Sequence, residues 1–153
     1  MKSQAVFGSV FLGLVVLIAP AIGYADADAV VGHWKTIDDR TGKPRSLVRI
    51  TDVNGKLQGK IEQILFRPDE TDHNPLCKEC SGARHNQPII GMTILSGLSQ
   101  DGDEFSGGEI LDPKNGKTYR CKIALKDQGA KLDVRGYIGI SFLGRTQTWL
   151  RQE

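Results

Sequence analysis

Residues 118–138 read TYRCKIALKDQGAKLDVRGYI, and their alternation decides the fold. Tyr119, Cys121, Ile123 and Leu125 fall on one face, with Arg120, Lys122 and Lys126 on the other. After Asp127-Gln128-Gly129 the pattern resumes: Leu132, Val134, Gly136 and Ile138 alternate with Lys131, Asp133 and Arg135. A period of two marks half-buried strands, and a short glycine-containing break between two of them marks a hairpin.

The same grammar extends in both directions. Asn54-Gly55 separates SLVRITDV from KLQGKIEQILF, the strongest short hairpin signal, because both central residues must take positive φ. Asp101-Gly102 and the run Asp112 to Gly116 punctuate two further hairpins, and Thr41-Gly42 breaks the first. Eight strands are expected, over 31–37, 46–53, 56–66, 91–98, 104–111, 118–126, 131–138 and 145–151. No window carries a convincing amphipathic helix. Such a meander predicts an all-β domain: an eight-stranded antiparallel up-and-down barrel, or alternatively a two-sheet sandwich. With 18 glycines in 153 residues, the composition favours the sharply bent strands of a barrel.

The first 25 residues differ from the rest. Lys2 precedes an apolar run from Ala5 to Ile22, Pro20 interrupts it, and small residues follow around Ala25. This is the layout of a signal peptide, so residues 1–25 are expected to be removed and 26–153 to form one domain, periplasmic or secreted. An uncleaved anchor is the alternative; no second long apolar run follows, so no membrane span is expected in the mature part. The net charge of +2 offers no footprint for nucleic acid.

Gly32-His33-Trp34 at the start of the first strand and Arg151 at the end of the last resemble the lipocalin and calycin superfamily. That resemblance implies a structural set of Gly32, Trp34 and Arg151, in which the indole closes one barrel end and the guanidinium packs across it. Four longer stretches carry a fuller match: GHWKTIDDRTGKPRSLVRI, CKECSGARHNQPIIGMTIL, GGEILDPKNGKTYRCKIAL and VRGYIGISFLGRTQTWLR. Together they are similar to the secreted bacterial domain-of-unknown-function 2147 family. The match spans nearly all of residues 30–151. It implies an exported lipocalin-like barrel and no defined reaction.

The long irregular segment 67–88 holds Cys77-Lys78-Glu79-Cys80. A structural Cys77–Cys80 disulfide is the leading reading for an exported chain. A redox pair, a zinc site built from His73, Cys77, Cys80 and His85, and a bridge from either cysteine to Cys121 are the alternatives. Cys121 lies on an apolar face and reads as a buried free thiol.

No catalytic constellation stands out: no nucleophile elbow, no metalloprotease helix and no phosphate-cradling loop, so no cofactor is called for and the chain reads as a non-enzyme. Gly107-Gly108 reads as a bulge, His33 as solvated, and the paired carboxylates of Asp38-Asp39 as turn residues. If Trp149 and Arg151 face inward, Arg145 and Gln147 share their parity; otherwise Thr146, Thr148 and Leu150 face in. The expected function is binding of a small hydrophobic or amphipathic ligand by Trp34, Met92, Ile94, Tyr119, Tyr137, Arg145, Gln147 and Trp149. The alternatives are a protein-interaction module acting through the 67–88 loop, or a metal or redox protein using the cysteines of that loop.

Overall fold

The computed structural model describes residues 26–153. The expected signal peptide, residues 1–25, lies outside the described residues. A short helix, α1 (Ala27–Val30), precedes eight strands: β1 (Gly32–Ile37), β2 (Pro44–Val53), β3 (Lys56–Ile64), β4 (Thr93–Asp101), β5 (Glu104–Asp112), β6 (Lys117–Lys126), β7 (Lys131–Tyr137) and β8 (Arg145–Gln152). Every strand pairs antiparallel with its chain neighbour, and β8 returns to β1 with Trp34 opposite Arg151, so the sheet closes into a barrel. The sandwich alternative is thereby replaced. Closure leaves no exposed edge for another strand to join.

Local chemistry explains the hairpins. Asn54 and Gly55 both take positive φ, and the Asp52 carboxylate accepts the Gly55 N–H at 2.7 Å, which fixes Val53 opposite Lys56. The register shifts between Phe105 and Gly108, which is the bulge expected at Gly107-Gly108. β4 starts two residues later and ends three later than expected, because Ser99, Gln100 and Asp101 continue the ladder against Ser106, Phe105 and Glu104. The helix α1 carries no periodic signal at all. It is one turn long, and Asp26 caps it by accepting the Asp28 N–H.

Alternation places Trp34, Val48, Ile50, Leu57, Leu98, Phe105, Ile123, Leu132 and Trp149 in the barrel interior. Each such large side chain, fully buried, contributes about 1.5–3 kcal/mol. Cys121 sits among them as a buried free thiol, and burial pushes its pKa up to about 12. His33 lies outside, half exposed, its Nε2 3.0 Å from Glu62.

One end of the barrel is plugged. The Trp34 indole N–H donates to the Val30 carbonyl at 2.9 Å, tying β1 to the helix beneath it. The Arg151 guanidinium lies 4.2 Å from the Trp34 ring centroid. Its Nε donates to the Gly129 carbonyl at 2.7 Å, and its other nitrogens reach the carbonyls of Ala29 and Val31. One side chain thus joins the helix, the β7 approach and the plug. An arginine is suited to this, since its planar fork stacks and donates at once.

Candidate functional site

The opposite end of the barrel is open and leads into a cavity of about 540 Å³. Its deep wall is apolar: Ile61, Ile64, Ile94, Ile110, Val134 and Trp149. Two hydroxyls interrupt that wall. Thr36 and Ser46 sit 2.7 Å apart on adjacent strands, and the Ser46 N–H also donates to Thr36. Paired this way, they satisfy each other without water.

The rim is charged and cross-linked. The Trp149 indole N–H donates to the Gln147 side-chain oxygen Oε1 at 3.4 Å, and the Gln147 side-chain amide donates to the Asp39 carboxylate at 2.8 Å. Arg145 pairs with the same carboxylate. On the other side Lys114 Nζ lies 3.5 Å from Asp38. Burial works against the ionised Asp38 carboxyl, but the backbone N–H groups of Thr41 and Arg40, together with Lys114, hold its pKa below the ordinary value. The β1–β2 loop is thus tied both to β8 and to the β5–β6 hairpin across the opening.

The 67–88 loop supplies part of the wall through Pro75, with Ile89 just beyond it. Cys77 and Cys80 are bonded to each other, and both are buried. Around them the Cys77 N–H donates to the Gln87 carbonyl and the Asn86 N–H to the Cys77 carbonyl, while Leu76 bridges to Pro88. The loop then presses on the β5–β6 hairpin. A Cβ at Gly116, whose φ is +68°, would sit 1.8 Å from the Glu79 carbonyl oxygen, so only glycine fits there. Glu70 anchors the loop's near end: the Arg45 side chain bonds both its oxygens, the Arg67 N–H donates to it, and its pKa falls to about 2.

The four residues of the zinc alternative are not gathered into one ligand set. The two sulfurs are joined, the His73 ring meets Phe66 edge-on at 4.8 Å, and His85 Nδ1 faces the Cys80 carbonyl. The redox alternative fares no better, because a working dithiol needs solvent access that Cys77 and Cys80 lack. The alternative bridge to Cys121 is replaced by the free thiol there.

Of the residues named from sequence, Ile94, Tyr119, Arg145, Gln147 and Trp149 line the cavity. Three do not, each for a plain reason. Trp34 is the plug at the far end, so its role is closure. Met92 is buried but sits in the turn before β4, its carbonyl accepting from the Ile61 N–H. Tyr137 has the parity of Arg135, not of Val134 and Gly136; it points outward and lines a surface groove with Arg84 and Arg120. Thr146 and Leu150 are exposed, so the opposite parity for β8 is replaced. Missed altogether were Asp38, Asp39, Thr36 and Ser46. The carboxylates do make turn hydrogen bonds, as in Asp38 accepting from Arg40 and Thr41, and that local role masked the second one.

A closed eight-stranded meander, plugged by a tryptophan under an arginine and hollow at the other end, is a lipocalin-like barrel. A solved structure shows the same fold: protein HP1028 from the human pathogen Helicobacter pylori, described as belonging to the lipocalin family, aligns with a TM-score of 0.68 at 23% identity, over 81% of this chain and 83% of that one. The chain itself belongs to the family described as an uncharacterized protein conserved in bacteria (DUF2147), whose model matches residues 32–151. No curated protein matches it.

Proposed function

We propose that this protein is an exported carrier that holds one small, mostly apolar ligand in the barrel cavity, with the ligand's polar end at the charged rim. The observation that carries the reading is the cavity itself: about 540 Å³, apolar in depth save for the mutually paired hydroxyls of Thr36 and Ser46, and charged at the opening. Pockets of this size and layout suit a small amphipathic molecule. Ile94, Tyr119 and Trp149 would contact its apolar body, and Arg145 and Gln147 its head. Export through a cleaved leader at 1–25 belongs to the same proposal, and the Cys77–Cys80 bond supports it, since such bonds persist in oxidising compartments.

Titration with a dansyl-labelled undecanoic acid tests this. Saturable one-to-one binding with energy transfer from tryptophan to the dansyl group is expected, and Ile94→Trp, which projects a larger ring into the cavity and blocks its depth, should abolish it while the fold is kept. Absence of saturable binding, or equal binding by Ile94→Trp, contradicts the proposal.

A further inference from the structure

The loop joining β7 to β8 carries an apolar surface that the barrel does not use. Ile138 is 69% exposed, Ile140 63%, Phe142 83% and Leu143 74%. The other large hydrophobics on the described surface are exposed to a much smaller degree, Val53 at 43% being the next. Scattered exposed apolar residues are ordinary; four in six positions of one loop are not.

The loop is held in this state. Arg135 donates through Nε to the Ser141 carbonyl at 2.7 Å and through Nη2 to the Phe142 carbonyl at 3.1 Å, and its Nη1 reaches Thr146 at 2.8 Å. Gly144 closes the turn so tightly that a Cβ there would lie 2.6 Å from the Gly136 carbonyl oxygen. A backbone pinned from beneath leaves the side chains of Phe142 and Leu143 facing solvent.

Position adds a second observation. Gly136 and Arg145, the residues that flank this loop, both line the cavity, so the loop stands at the open end. On the outer wall Ile138 continues into a groove lined also by Arg84, Arg120, Tyr137 and Glu109. Apolar side chains beside paired arginines match the two layers of a lipid surface, acyl chains and phosphates.

We propose that the open end of the barrel docks on an anionic phospholipid bilayer. Ile138, Ile140, Phe142 and Leu143 enter the interfacial region, and Arg84 and Arg120 meet the lipid phosphates. Arg84 and Arg120 outweigh Glu109, the acid of that groove, and anionic lipid adds attraction for each basic group near the surface. Docking in this orientation sets the cavity opening against the bilayer. This deepens the carrier reading by naming where its ligand is exchanged.

Flotation with vesicles of phosphatidylethanolamine and phosphatidylglycerol tests the docking, with phosphatidylcholine vesicles as the uncharged control. The chain should float with the anionic vesicles. Ile140→Ser with Phe142→Ser should weaken that binding by about tenfold or more, as expected for removing two large apolar side chains from the interface. Arg84→Gln with Arg120→Gln should remove the preference for anionic over uncharged vesicles. Binding of the dansyl probe in solution should be unchanged in both variants, which separates failure of docking from failure of the carrier reading. No flotation of the wild-type chain, or equal flotation of the serine variant, overturns the proposal. So does self-association through the loop, lost in the serine variant, with no affinity for vesicles.

Discussion

Gln147 donates its side-chain amide to the Asp39 carboxylate at 2.8 Å, joining β8 to the β1–β2 loop across the mouth of the cavity. Arg145 ends on the same carboxylate, so one acid holds both of the β8 side chains at the polar rim in place. Asp39→Ala frees Arg145 for a ligand carboxylate. The variant should bind the dansyl-labelled undecanoic acid several-fold more tightly, about what one charge-assisted hydrogen bond supplies. An uncharged dansyl amide of the same chain should bind unchanged. Because the pair is exposed, thermal stability should fall by less than about 1 kcal/mol. Titration of both probes against both proteins checks this.

Arg151→Ala should destabilise the barrel by about 2 kcal/mol or more, since it removes the stacking on Trp34 and leaves three backbone carbonyls without a donor. Arg151→Lys should recover little, because a point charge cannot stack and donate three ways. The readout is the shift in urea midpoint at constant slope. A wild-type midpoint in Arg151→Ala would show that the plug stands without its arginine.

Glu70 links stability to acid. Its carboxyl is held near 2, against an ordinary 4.5, first by the Arg45 side chain and then by the Arg67 N–H. A depressed folded-state pKa means the unfolded chain binds the extra proton. The contribution is therefore complete above about pH 4.5 and is lost as pH falls toward 2. Glu70→Gln should be less stable than wild type at pH 6, and the gap should narrow between pH 4.5 and 2. Melting curves across that range measure it.

The cysteines should behave unequally. Cys121, buried with its pKa near 12, should resist iodoacetamide at pH 8 in the folded protein and react once the chain is unfolded in urea. Replacing Cys77 and Cys80 together by alanine should cost about 2 kcal/mol on a chain-entropy basis, modest because the ring they close is short. Mass-detected alkylation and chemical denaturation give the two answers.

The strands were legible because their signals are local. Asn54-Gly55 demands one turn, and the alternation through Cys121 and Ile123 permits one inward face. Barrel closure is not local. It rests on Trp34 meeting Arg151 from opposite ends of the chain; the meander and the glycine content favoured a barrel over a sandwich, and the resemblance of those two residues to a known superfamily pointed to how it closes. The site was half legible for the same reason. Gln147 and Arg145 follow from the parity of Trp149, but their partner Asp39 belongs to a loop that approaches only after closure. Tyr137 was misplaced although its own strand's alternation already put it outside. The exposure of the apolar loop from Ile138 to Leu143 has no local signal, since glycine-rich apolar segments read equally well as core.

Native mass spectrometry of the protein purified from its own host, followed by the same sample denatured, tests the central claim most directly. The carrier account predicts a single adduct of lipid-like mass, lost on denaturation, and absent from Ile94→Trp. A bare native mass under gentle ionisation, matching that of Ile94→Trp after allowance for the substitution, would contradict it.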